Sequence, residues 1–251
     1  MIDSLRPNRW LIPFVVVTLG LVVLSCALAW SASPMLVERG EWRVYVDVYD
    51  ETNLTTWWST VVLVLAAASY AVVAALAGPG WQRRRWAVLT GVVALLSLDE
   101  ATVLHERLDR FVLDWLTPED FPYLWVVPGL AVGAAVVVCV VVLTWTAPRQ
   151  ARRWLVLGFV LLLGSALGGE LVQGWLVSEG RLGLPFVLCY HLEEAGEMLG
   201  GVALLGGALR MLALRRTAPG VRLELVRAGT ADHAPAGDRA DDVTTDAAAL
   251  R

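Results

Sequence analysis

Long runs of apolar residues, broken at regular intervals by short charged stretches, dominate this chain. A hydrocarbon core needs about 20 mainly apolar residues per helical crossing. Six segments meet that length: 10–30, 56–78, 86–107, 124–147, 154–177 and 186–214. They predict an all-α fold, a bundle of six transmembrane helices over residues 1–216. Residues 217–251, rich in Ala, Asp, Gly and Thr, read as a disordered cytoplasmic tail that also carries His233.

The connections sort by charge. Arg6 and Arg9 precede the first span, and Arg83, Arg84 and Arg85 separate the second from the third. Arg149, Arg152 and Arg153 separate the fourth from the fifth, and Arg210, Arg215 and Arg216 close the sixth. Two of the other three connections are acidic, with Glu38, Glu41, Asp47, Asp50 and Glu51 in one and Asp114, Glu119 and Asp120 in another. Positively charged loops stay on the cytoplasmic side, which predicts both termini inside and a multi-pass protein of the bacterial inner (plasma) membrane. Arg6, Arg9 and the later Ala27-Leu28-Ala29 also fit a signal peptide. The apolar run is long for that role, and a retained helix is the expectation. In the first outer connection Val44, Val46 and Val48 alternate with Arg43, Tyr45, Asp47 and Tyr49. That period of two predicts a short half-buried strand, with a plain amphipathic linker as the alternative.

Composition agrees with a membrane protein: 57% of the 251 residues are hydrophobic and only 18% are charged. A formal charge of −4 gives no basic surface for nucleic acid, and none is expected as a partner. Cys26, Cys139 and Cys189 lie singly in apolar runs, which leaves no disulfide framework and no CxxC metal pair.

Charge placement within the spans carries the functional signal. The first, second and fourth spans contain no Asp, Glu, His or Arg. The third holds Asp99, Glu100, His105 and Glu106, the fifth holds Glu170, and the sixth holds His191, Glu193, Glu194 and Glu197. At about 1.5 Å per residue from the nearest Arg cluster, Asp99, Glu170, Glu194 and Glu197 fall roughly 20–25 Å into the membrane, with His191 and His105 just above. Three helices therefore place acids in one layer of the outer half. At about 100° per residue Asp99, Thr102 and Glu106 share a stripe, as do His191, Glu194 and Met198, while Glu193 points away. Gly164 with Gly168, and Gly196 with Gly200, have the spacing that lets helices approach closely.

So many acids cannot all ionise side by side: two charges at 4 Å repel by about 4 kcal/mol even at an effective dielectric of 20. Protons or a cation must neutralise them. Asp99, His105, Glu106, Glu170, His191, Glu194 and Glu197 form a donor set suited to a divalent metal such as Zn, Fe or Mn. The number of donors matches a dinuclear site in a helical bundle, but the Glu-x-x-His spacing of that pattern is absent. His105 to Asp109 reads HExxD, one residue from the zinc-protease HExxH. The leading expectation is a metal-dependent membrane enzyme acting on a lipid or lipid-linked substrate, with Glu106 as general base. The alternative is a cation- or proton-coupled transporter or ion-binding protein, although the inner half of every span lacks charge.

The run LSLDE followed by HE, with the later GGE and HLEEAGE, resembles a set of bacterial polytopic membrane proteins over most of the membrane region. The resemblance implies a multi-helix membrane fold and no particular activity. Ceramidase-like hydrolases use several His as zinc ligands; only His105 and His191 are available here, and the H-x-x-x-H pair is missing.

Overall fold

A computed structural model describes residues 2–3, 7–31, 41–113, 122–217 and 220–226. Six long helices fall on the six apolar segments: α1 (Pro7–Ser31), α3 (Leu54–Leu76), α4 (Trp81–Thr102), α5 (Val126–Thr144), α6 (Arg149–Ser178) and α7 (Leu184–Leu209). A four-residue helix, α2 (Glu41–Val44), precedes α3, and a 3-10 turn (Glu106–Phe111) follows α4.

Four of these helices, α1, α3, α5 and α6, are long and apolar enough to cross a membrane. The remaining two, α4 and α7, each carry several charged residues within their lengths: Arg83, Arg84, Arg85, Asp99 and Glu100 in α4, and Glu193, Glu194 and Glu197 in α7. Large apolar side chains point outward from every long helix, among them Val16, Val64, Leu95, Val138, Val160 and Leu192. Soluble monomers rarely expose so much contiguous apolar surface, whereas hydrocarbon tails cover it without cost.

Helix α7 sits at the centre, packed most extensively on α6 and also on α3 and α1. Glycine allows the α6–α7 approach. A β-carbon on Gly200 would lie 2.6 Å from the Leu162 backbone nitrogen and 2.8 Å from the Gly158 carbonyl oxygen. The expected Gly196–Gly200 contact is therefore present, but Gly164 and Gly168 face open space, and α6 contributes Gly158 and Gly169 instead. Tyr70 of α3 donates a 2.9 Å hydrogen bond to the Leu204 carbonyl oxygen of α7, deep in the core. Helix α5 is peripheral, resting on α6, α4 and the 3-10 turn.

Three departures from the sequence expectations matter. The strand expected around Val44–Val48 is instead the end of α2 followed by turns. Arg43 and Asp47, four residues apart, form an ion pair at 2.8 Å that a strand would pull open, and Asp47 Oδ1 also accepts from the Tyr49 amide. Asn53 then caps α3, its side chain accepting from Thr55 and Thr56 amides. Second, helix α4 stops at Thr102 rather than continuing through residue 107, because Val103 takes a left-handed conformation (φ 54°). Third, the chain beyond α7 is not wholly unstructured. Strands β2 (Leu212–Thr217) and β3 (Gly220–Leu225) form an antiparallel hairpin, and β1 (Ile2–Asp3) pairs with β2. The chain thus carries a small sheet beside its helices; residues 227–251, with His233, lie outside the described residues, as do Glu38, Asp114, Glu119 and Asp120.

Candidate functional site

The end of α4 organises the site. With Val103 turned left-handed, its amide returns to the Asp99 carbonyl oxygen at 2.7 Å and the chain folds back over the last helical turn. This brings His105 onto Asp99. The His105 amide donates to Asp99 Oδ1 at 2.7 Å, and its ring Nδ1 lies 3.0 Å from Asp99 Oδ2. The other face of the imidazole packs on Trp125 at the start of α5, with ring centroids 4.4 Å apart.

Asp99 and His105 line a cavity of about 130 Å³ together with Glu100, Glu170 of α6 and Glu197 of α7. Apolar residues of α3, α5 and α6, including Leu63, Val132 and Leu163, make up most of the remaining wall. Glu170 Oε2 and the Trp125 indole nitrogen are both buried and without a hydrogen-bond partner. They face one another but miss hydrogen-bonding geometry. Both polar atoms belong to residues that line this one small cavity.

Of the seven expected ligands, four therefore share the cavity: Asp99, His105, Glu170 and Glu197. Glu194 does not line it, but interacts electrostatically with Glu100, Glu193, Glu51 and Glu170. Glu106, expected on the Asp99 stripe as general base, is exposed at the start of the 3-10 turn because the helix ended before it. Among the described residues, no three His, Cys, Asp or Glu side chains converge closely enough to hold a metal ion.

His191 belongs to a different cluster. On α7 it lies about 120° around the axis from Glu197 and so faces α1 and the outer connection instead. Its Nε2 lies 3.1 Å from Ser25 Oγ, and its Nδ1 lies 2.7 Å from the Val187 carbonyl oxygen. Ser25, fully buried, also accepts from the Val48 amide at 3.0 Å and donates to Asp47 Oδ1 at 3.5 Å. The arrangement resembles a nucleophile with its base, but complete burial of Ser25 leaves no room for a substrate. Ser25 and His191 instead fasten the outer connection to the bundle.

Three acids outside the expected donor set join the site. Glu100 lines the cavity and faces Ser59. Glu193, which a helical wheel turns away, is buried against α6 and accepts a hydrogen bond from Gln173. Glu51 reaches the site from the outer connection, close enough to feel Glu106, His105 and Asp99. Burial first, then the charge of Glu106, raises the Glu51 carboxyl above its ordinary value of 4.5. Burial alone would lower His105; the hydrogen bond and charge of Asp99 outweigh it and hold the imidazole above its ordinary 6.5.

The cavity thus has four carboxylate walls and one imidazole, and no Arg among the described residues lines it. No curated protein and no solved structure matches the chain. One family model does, over residues 12–212, which include every residue of the cavity and of the Ser25–His191 cluster. The chain belongs to that family, the domain of unknown function DUF8692.

Proposed function

We propose that the protein is a six-span bacterial plasma-membrane protein, with its Arg-rich connections in the cytoplasm, that binds and exchanges a small cation, protons included, from the outer side. The observation that carries this reading is the convergence of Asp99, Glu100, Glu170 and Glu197 on one cavity where His105 is the only basic group among the described residues. Carboxylates so placed are held only when protons or a cation compensate them.

The acids also grade from wet to dry. Glu51 and Glu106 are exposed, Asp99 and Glu100 are half-buried, and Glu193 is buried. A cation arriving from the outer phase meets a carboxylate at each stage. The inner half of each span offers none, so the proposal covers binding and exchange on the outer side and not passage across. Volume supports the same choice: about 130 Å³ suits a partly hydrated ion or a few waters, while pockets for larger ligands start near 300 Å³. The same donors would serve the metal-dependent hydrolase expected from sequence, which additionally needs three of them to close on one metal and room for a lipid.

The test is thermal unfolding of the purified chain across pH and across Na⁺, K⁺, Mg²⁺, Ca²⁺, Mn²⁺ and Zn²⁺, with elemental analysis of the same sample. A cation at 100 times its dissociation constant stabilises by about 2.7 kcal/mol. Glu170→Gln should remove most of that response. A midpoint indifferent to every cation and to pH, in both proteins, would sink the proposal; a stoichiometric transition metal that survives extraction would favour the hydrolase.

A further inference from the structure

Arg85, at the opposite end of α4 from the cavity, is only 7% exposed. Its guanidinium lies over the Trp86 ring, 5.1 Å from the centroid, and its Nη1 donates to Thr146 Oγ1. Nothing else in the described structure balances it. No carboxylate among the described residues pairs with Arg85, and its Nε is buried without an acceptor. The Trp86 indole nitrogen beside it is likewise buried and unpartnered. A guanidinium with one neutral hydrogen-bond partner and a buried, acceptor-less Nε has donors left over for an anion.

Its neighbours supply the rest of an anion site. Thr146 leads directly into Pro148 and α6, a 30-residue helix whose N-terminus has no side-chain cap. Free amides and the positive end of the helix dipole gather there. Arg84 and Arg149 are exposed next to these elements in sequence. By contrast Arg83 and Arg152 already donate to the carbonyl oxygens of Ala75 and Trp145.

We propose that Arg85, Thr146 and the start of α6 bind a phosphate group, and that its source is the headgroup of an anionic phospholipid. The apolar outer faces of α4 and α5 place that corner at the edge of the hydrocarbon, where lipid phosphates lie. Inorganic phosphate offers the same chemistry from solution. The inference stands independently of the cation cavity, since it uses none of its residues.

The experiment takes the full chain in detergent micelles doped with phosphatidylglycerol or phosphatidylcholine, or given millimolar inorganic phosphate. Thermal midpoint and native mass spectrometry are the readouts. Phosphatidylglycerol should raise the midpoint by about 5 °C over phosphatidylcholine at saturation and remain bound at one lipid per chain. Arg85→Gln should lose both effects; should that variant fail to fold, Thr146→Val, at an exposed position, should weaken them by roughly tenfold in affinity, as for the loss of one hydrogen bond to a charged group. Arg153→Gln, exposed and outside the site, should keep them. Equal stabilisation by inorganic phosphate would keep the site and reassign its source to solution. The proposal falls if wild type does not discriminate the two lipids and ignores phosphate. It falls equally if Arg85→Gln or Thr146→Val retains the full lipid response, or if Arg153→Gln loses as much.

Discussion

Asp99 holds His105 twice, through the backbone amide at 2.7 Å and through the imidazole Nδ1 at 3.0 Å. The first contact fixes where the residue sits and the second fixes the ring. One carboxylate therefore receives the chain just past the helix end, positions a base and supplies its counter-charge.

That double contact predicts a pH dependence. His105 sits above its ordinary value because of Asp99, so its contribution to stability is complete below about pH 6.5 and is lost as pH rises through the raised value. Asp99→Asn removes the charge and leaves burial, which lowers the imidazole. Its thermal midpoint should then fall less than that of wild type, or even rise, between about pH 6 and 8. Parallel midpoint curves for the two proteins would show that Asp99 does not hold His105 in this way.

Glu51 shifts in the same direction for a different reason, burial and like charge instead of attraction. Its carboxyl is raised, so the folded state favours the protonated form; the advantage is present at low pH and disappears as pH climbs from 4.5 through the raised value. Glu51→Gln should therefore match wild type near pH 4 and exceed it near pH 7. At so exposed a position the gain is small, about 1–2 °C in midpoint. A variant less stable than wild type at neutral pH would mean that ionised Glu51 has a favourable partner.

Close approach of α6 and α7 predicts a contrast between glycines. Gly200→Ala places its methyl against backbone atoms of Leu162 and Gly158, which cannot yield as a side-chain tip does, and should cost about 1–3 kcal/mol. Gly164→Ala meets nothing within 4 Å and should be neutral or slightly stabilising. Unfolding in increasing denaturant measures both; similar losses would place Gly164 at a contact as well.

Ser25→Ala should destabilise by about 1–3 kcal/mol, since it strips partners from the Val48 amide and from His191 Nε2 in a buried setting. The cation response of the cavity should survive unchanged. A lost cation response with stability intact would return His191 to the functional site.

How much of this was legible beforehand depends on the kind of information each feature needs. The positions of all six long helices follow from apolar runs. The shared layer of Asp99, Glu170 and Glu197 follows from counting residues along rigid helices, and both inferences are one-dimensional. What failed was rotational or local. His191 and Glu194 share a stripe, but which neighbour that stripe meets depends on how α7 is turned within the bundle, and so His191 met α1. Glu106 was misplaced because α4 ends at a valine in a left-handed conformation, a position with no Gly or Pro to announce it. The Val44–Val48 alternation was too short to separate a strand from a turn, and the Arg43–Asp47 spacing of four residues was the better signal. The β2–β3 hairpin left a trace too, in Pro219-Gly220 followed by the apolar-polar alternation of Val221, Arg222, Leu223, Glu224 and Leu225.

The early stop of α4 has an electrical consequence of its own. Helical carbonyl dipoles add up, leaving a partial negative charge, roughly half an electron, at the end where they point. Only one of the last carbonyl oxygens is claimed by the Val103 amide, so that field is directed past Thr102 toward His105. Had the helix run on through residue 107, its negative pole would lie beyond His105 instead of before it. Ending where it does, α4 lends the backbone itself to the attraction of positive charge, a contribution that no side-chain substitution can remove.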